Sequence, residues 1–163
     1  MPSSITIDLH SLFLWLPLLA ASAHIFEEFV WPGGFAEWYR RYDPAAAAGV
    51  TTRFLVGMNA LLIFLCALPP LLGTTPRGVA FWLSASAVCA GNALFHCYAM
   101  WRMREYSPGV VTGVLLYIPL ALLGFKLYLA EHSATVATAI QAVLFGAGYV
   151  YWSAWRRRRV ARA

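Results

Sequence analysis

The chain has 163 residues, of which 61% are hydrophobic and 12% charged, and its mean hydropathy is +0.64. Soluble domains average roughly 45–50% apolar and about 25% charged residues, and a globule of this size has too little interior to hide so much apolar surface; a soluble fold is excluded. The net charge of +5 owes most to Arg156, Arg157, Arg158, Arg159 and Arg162, directly behind an apolar run; such a cluster reads as a topology anchor or a contact with anionic head groups, and no nucleic-acid partner is expected.

A helix needs about 20 apolar residues to cross a bilayer core. Five stretches meet or approach that length: 7–30, 54–72, 79–100, 109–129 and 134–151. The first has no Lys or Arg ahead of it, so it is expected to be a retained helix rather than a signal peptide, kinked at Pro17. Trp31-Pro32-Gly33-Gly34 ends it, and the aromatic, arginine-bearing segment 34–48 is expected to form a short helix in the membrane interface. Pro69-Pro70 with Gly73 closes the second stretch, and Pro76 precedes the third. In the third, Ser84, Ala87 and Gly91 would allow close helix packing. Ser107-Pro108-Gly109 opens the fourth, which Pro119 is expected to kink. Cys66, Cys89 and Cys97 lie in apolar stretches without a CxxC pair and read as small buried hydrophobes. The fold class is therefore all-α: a polytopic membrane bundle of about five transmembrane helices, one membrane domain over 1–163, without an internal repeat.

With the C-terminus inside, the inner side holds ten basic residues, Arg40, Arg41, Arg53, Arg102, Arg104 and the five tail arginines. The outer side holds Arg77 and Lys126. This positive-inside bias predicts an outer N-terminus. Trp31, Trp38, Tyr39, Tyr151, Trp152 and Trp155 would then form an inner aromatic belt.

Chemistry is concentrated at the inner ends of the spans. At about 100° per residue, Glu27 and Glu28 flank His24 at about −60° and +40°, so the three share one helical face. A charge near the bilayer centre costs about 2.5–3.5 kcal/mol, which is why such residues normally face the bundle and serve a function. Asn92 and His96 share a face of the third span, and Tyr106 stands just ahead of the fourth, whose N-terminus offers free N–H groups. These residues are expected to meet in one cytoplasm-facing pocket, while His10 and His132 belong near the opposite face.

The three motifs HxxEE (His24, Glu27, Glu28), NxxxH (Asn92, His96) and YxPGxxT (Tyr106, Pro108, Gly109, Thr112) resemble the HXXEE-domain family of bacterial integral membrane proteins. The resemblance implies a bacterial inner-membrane location and singles out these residues without naming a reaction. A looser similarity, resting on the pairing of His24 with Glu28 and on the helix count, is to membrane sterol isomerases.

Three functions follow from the residues. The first is a membrane enzyme with one divalent metal ion, zinc or iron, held by His24, His96 and one of Glu27 and Glu28. Glu27, Glu28, Asn92 and Tyr106 would then be the catalytic groups, Asn92 or Tyr106 acting from behind the ligands. Its substrate is expected to be a hydrophobic or lipid-like molecule drawn from the bilayer, turned over by hydrolysis or oxidation. The second is metal-free acid/base isomerisation or cyclisation of an apolar substrate. The third is a proton-coupled carrier or lipid-binding protein, for which a homo-oligomer would supply the missing repeat.

Overall fold

The computed structural model describes residues 9–161. The expected start of the first span at residue 7, the side chain of His10, and Arg162 lie outside the described residues. Every regular element among them is helical, and five helices are long and apolar enough to cross a membrane: Ser11–Phe29, Thr52–Leu72, Pro76–Met103, Val110–Ala130 and Val136–Val160.

The first span is built from α1 (Leu9–Phe13) and α2 (Leu16–Phe29). The break falls just ahead of Pro17, whose ring and missing N–H interrupt the ladder, so the expected kink is present. Gly33 and Gly34, with φ of +72° and +85°, turn the chain after α2, and the Gly33 N–H donates to the Glu27 carbonyl at 3.0 Å. The segment expected at the interface folds as α3 (Phe35–Tyr42) and a 3₁₀ turn (Pro44–Gly49).

Two of the six expected belt aromatics are not in a belt. Trp38 and Tyr39 are 2% and 3% exposed and pack with Phe35, Val50 and Ala99 in a second core at the arginine-tail end of the bundle. α3 is amphipathic, and Glu37, Arg40 and Arg41 take its other face, so burial of its aromatic stripe is the favourable arrangement. Trp31, Tyr151, Trp152 and Trp155 are exposed.

The long helices α4 (Thr52–Leu72), α5 (Pro76–Met103) and α8 (Val136–Val160) each start on a threonine. Thr51, Thr75 and Thr135 accept from the N–H groups of Phe54, Gly78 and Thr138 at 3.1 Å, satisfying donors that the first turn leaves free. α4 runs through Pro69 and Pro70 and stops only at Gly73, at φ +64°. α8 continues beyond the expected limit at 151, so Arg156 to Arg159 are helical.

α5 is the central helix, packed on α8, α4 and the fourth span. A methyl group on Gly146 of α8 would lie 2.7 Å from the Ala87 backbone, and one on Gly91 would lie 3.0 Å from Val150. The small residues of α5 thus bring two backbones together, as expected. The fourth span begins with α6 (Val110–Thr112), passes through a π-helical turn (Gly113–Tyr117) and continues as α7 (Ile118–Ala130). Next to Pro119 the chain widens into that turn, the local form in which the break appears. The turn carries the buried Tyr117.

Candidate metal centre

His24 on α2 and His96 on α5 are fully buried, and Glu28, one turn beyond His24, is 5% exposed. Glu28 Oε1 lies 3.5 Å from His24 Nε2 and 3.1 Å from His96 Nε2. One ligand atom from each of the three residues falls within 4.8 Å of the other two, and the group could hold a metal ion.

Hydrogen bonds define which ring nitrogens face this point. Thr112 Oγ1 donates to Glu27 Oε2 and therefore accepts from His24 Nδ1–H at 2.9 Å. His24 Nε2 is left with its lone pair, which accepts from the Asn92 amide at 2.9 Å. His96 Nδ1 is 2.9 Å from the buried Ser107 hydroxyl. His96 Nε2, 3.1 Å from Glu28 Oε1, has no hydrogen-bond partner among the described residues. Each ring is held through Nδ1 by a hydroxyl while Nε2 points inward, the arrangement by which ligating histidines are usually fixed.

Aromatic groups close the site. Phe35 and Trp38 of α3 lie against the His96 ring, with centroids at 5.8 and 6.3 Å, and Tyr117 lies at 4.6 Å from the His24 ring. Gly109 closes a further side. A methyl group there would lie 2.7 Å from His24 Cε1, 2.9 Å from His96 Cε1 and 3.1 Å from Glu28 Cγ, and its φ is +101°. The glycine of the third motif is therefore the floor on which the first two motifs meet.

Glu27 is oriented differently. Expected among the ligands, it is turned to the start of the fourth span, where it accepts from the N–H groups of Val111 and Thr112 at 3.0 and 2.7 Å. The Tyr106 hydroxyl also donates to it at 2.5 Å. The reason is helical: neighbouring positions diverge by about 100°, so when Glu28 enters the bundle between two histidines, Glu27 meets the adjoining helix N-terminus. Partial burial, and then the Glu27 carboxylate, push the Tyr106 phenol above the ordinary tyrosine value. Glu27 and Tyr106 line an apolar groove of about 890 Å³ with Phe26, Trp31 and Pro32 on the outside of the bundle. A continuous chain of hydrogen bonds thus runs from His24 through Thr112 to Glu27 at this groove.

Of the six residues expected in the pocket, His24, Glu28, Asn92 and His96 meet directly, while Glu27 stands one hydrogen-bonded residue behind, across Thr112, and Tyr106 two behind, across Glu27 and Thr112. His132 is exposed in the turn between α7 and α8. Sequence reasoning passed over Ser107 and Tyr117. Ser107 lies inside the third motif and was legible there; Tyr117 comes from the π-helical turn, which no sequence signal marked, and lies against the His24 ring.

Five membrane-spanning-type helices around a buried His–Glu–His group define a membrane protein with a candidate intramembrane metal centre. The chain belongs to the HXXEE family, described as a protein of unknown function with an HXXEE motif, whose model matches residues 15–123. That match covers all three motifs. No curated protein and no solved structure matches the chain.

Proposed function

We propose that this protein is a metal-dependent membrane enzyme whose divalent ion, zinc or iron, is held by His24, Glu28 and His96. The observation that carries the reading is the unpartnered Nε2 of His96, fully buried beside a carboxylate. His96 Nε2 and a Glu28 oxygen lie 3.1 Å apart with no hydrogen bond joining them, a spacing that a cation shared by the two rings and the carboxylate would account for. Leaving a carboxylate buried without its counter-charge costs several kcal/mol. The donor set is that of catalytic zinc sites and of non-haem iron sites with open positions.

Such an ion would supply Lewis acidity or activate water or oxygen at an open position. The chain's own residues do the rest. Thr112 keeps His24 in the tautomer that leaves Nε2 free to ligate, and Ser107 holds the His96 ring through Nδ1. Asn92, whose amide is equal in shape at both ends, can present its oxygen to a cation or its N–H to His24. Phe35 and Trp38 keep water from the His96 side. A proton leaving His24 Nδ1 has a path through the Thr112 hydroxyl to Glu27, held there by Tyr106. The substrate in this reading is a hydrophobic or lipid-like molecule from the bilayer, turned over by hydrolysis or oxidation. The positive-inside count supports an outer N-terminus and an inner C-terminus, with the site near the inner face of a bacterial plasma membrane.

A second reading is favoured by the same short contacts. If a proton rather than a metal ion separates Glu28 from His96, the group becomes an acid/base cluster suited to isomerising or cyclising an apolar substrate. Metal analysis of detergent-purified protein distinguishes the two. One equivalent of zinc or iron is expected, lost on changing His24, Glu28 or His96 to Ala and retained on changing His132. Protein that contains no stoichiometric metal, and takes up none on reconstitution with zinc, iron or manganese, would transfer the site to the acid/base reading.

A further inference from the structure

The run of four arginines at the end of α8 reads in sequence as a uniform anchor, yet its members have different surroundings. Arg156 and Arg159 are exposed over Trp152 and Trp155, and Arg158 is exposed and pairs with Asp43 at 3.2 Å. Arg157 alone among them is half-buried. Its Nε donates to the Tyr39 hydroxyl at 2.8 Å, and its guanidinium lies 4.6 Å from the Tyr39 ring centroid and 5.7 Å from that of Phe54. No carboxylate of the described residues pairs with it: Asp43 is held by Arg158, Glu105 by Arg41, and Glu28 lies between the histidines. The backbone fixes this position, since a methyl group on Gly49 would lie 2.2 Å from the Arg157 carbonyl.

Two adjoining cavities, of about 70 and 140 Å³, share Phe35, Asn92, Tyr149, Ser153 and Arg157 in their walls. The inner one is bounded by Glu28 and Asn92 of the metal centre, and the outer one reaches Asp43 and Arg158 at the arginine-tail end. Arg157 belongs to both and so stands on the path between the centre and the surface. Phe54, Leu55, Met58 and Leu62 give the inner cavity an apolar wall on the α4 side. Among the described residues nothing neutralises this guanidinium and its Nη groups make no hydrogen bond; such a group beside an apolar wall is well suited to holding a carboxylate or phosphate through paired hydrogen bonds.

We infer that the substrate of the metal centre is an amphiphile with an acid group, and that Arg157 binds this group in the cavity adjoining Glu28 and Asn92. The inference rests on the metal-enzyme reading for the word substrate, and on Arg157 and its cavity for the acid group. The apolar chain would lie along the α4 wall, leaving the part nearest the acid group toward His24 and His96.

The test measures binding of decyl phosphate, decanol and inorganic phosphate to the full chain in an uncharged maltoside detergent, by titration calorimetry, with protein both metal-loaded and metal-stripped. Decyl phosphate is expected to bind about 10- to 100-fold more tightly than decanol, the ordinary gain from charge-assisted hydrogen bonds. Arg157→Gln is expected to remove that preference and Arg157→Lys to keep part of it. Tyr39→Phe, which removes the hydrogen bond on Nε but leaves the charge, is expected to keep it, as is Arg159→Gln. Should Arg157→Gln fail to fold, Ser153→Asp places a carboxylate in the same cavity and is expected to abolish the preference. Equal binding of decyl phosphate and decanol by the unaltered protein would overturn the inference. So would a preference that survives Arg157→Gln, or one lost equally in Tyr39→Phe. Arg157-dependent binding of inorganic phosphate as tight as that of decyl phosphate would uphold the acid site and overturn the amphiphile. An Arg157-dependent preference in protein that never takes up metal would uphold the acid site and remove the metal reading; stoichiometric metal without the preference would do the reverse.

Discussion

Adding a methyl group at Gly109 perturbs His24, His96 and Glu28, the three members of the candidate metal group, at once. At φ +101° an L-residue pays backbone strain of about 1–2 kcal/mol. The new carbon would also lie 2.7 and 2.9 Å from the two histidine rings and 3.1 Å from Glu28 Cγ, closer than carbon atoms pack. The rings are held through Nδ1 by Ser107 and Thr112, so they cannot withdraw without breaking those bonds, and overpacking of this kind costs about 1–3 kcal/mol. Gly109→Ala should therefore lose about 2–5 kcal/mol in total. Gly34→Ala is the matched control: its φ is +85°, but a methyl group there meets nothing within 4 Å, so it carries the strain alone. Unfolding in detergent by a graded denaturant, run with metal content on the same samples, separates the two contributions. Gly34→Ala should retain its metal with a small loss of stability, and Gly109→Ala should lose both. If the two variants behave alike, the third motif does not touch the ligands, and the account of why the three motifs occur together is wrong.

Other expectations concern the two glutamates, a ring-holding hydroxyl and the orientation. Glu28→Gln should abolish stoichiometric metal, whereas Glu27→Ala should keep most of it and lower stability by about 2–4 kcal/mol, because the Val111 and Thr112 N–H groups lose a charged acceptor; metal analysis and unfolding on both variants decide this, and equal metal loss would contradict the separate roles. Ser107→Ala should weaken metal binding about 10- to 100-fold, read by competition with a chelating dye, because the His96 ring loses the bond that orients it. A reporter active only in the cytoplasm should give signal when fused after Ala163 and none when placed at His132; signal at both positions, or at His132 alone, would reverse the orientation or change the span count.

Much of this protein was legible without coordinates. The five apolar stretches are dictated by the length a helix needs to satisfy its own backbone inside lipid, and all five are present in the structure. The small residues at Ala87 and Gly91 foretold close helix contact, and the spacing of the motifs foretold that His24, Glu28, Asn92 and His96 would meet.

What the linear pattern left open is which face of each helix turns inward. Glu27 and Glu28 are chemically identical neighbours, and only the rotation of α2 against α5 and the fourth span places one between the two histidines and makes the other a helix-terminus anchor. Trp38 and Tyr39 have the composition of belt residues, yet α3 folds its aromatic stripe over His96, where burial gains more than an interfacial position. Arg157 sits in a run of four arginines with nothing local to distinguish it. Its role follows from α8 continuing past the expected end of the span and from Gly49 pressing on its backbone, which together bring one guanidinium of the four into the bundle. Hydropathy and motif spacing are properties of single segments and survive in the sequence. The rotation and overlap of helices are set by packing between segments more than 60 positions apart, as Asn92 with His24 and Arg157 with Tyr39 illustrate, and tertiary structure alone decides them.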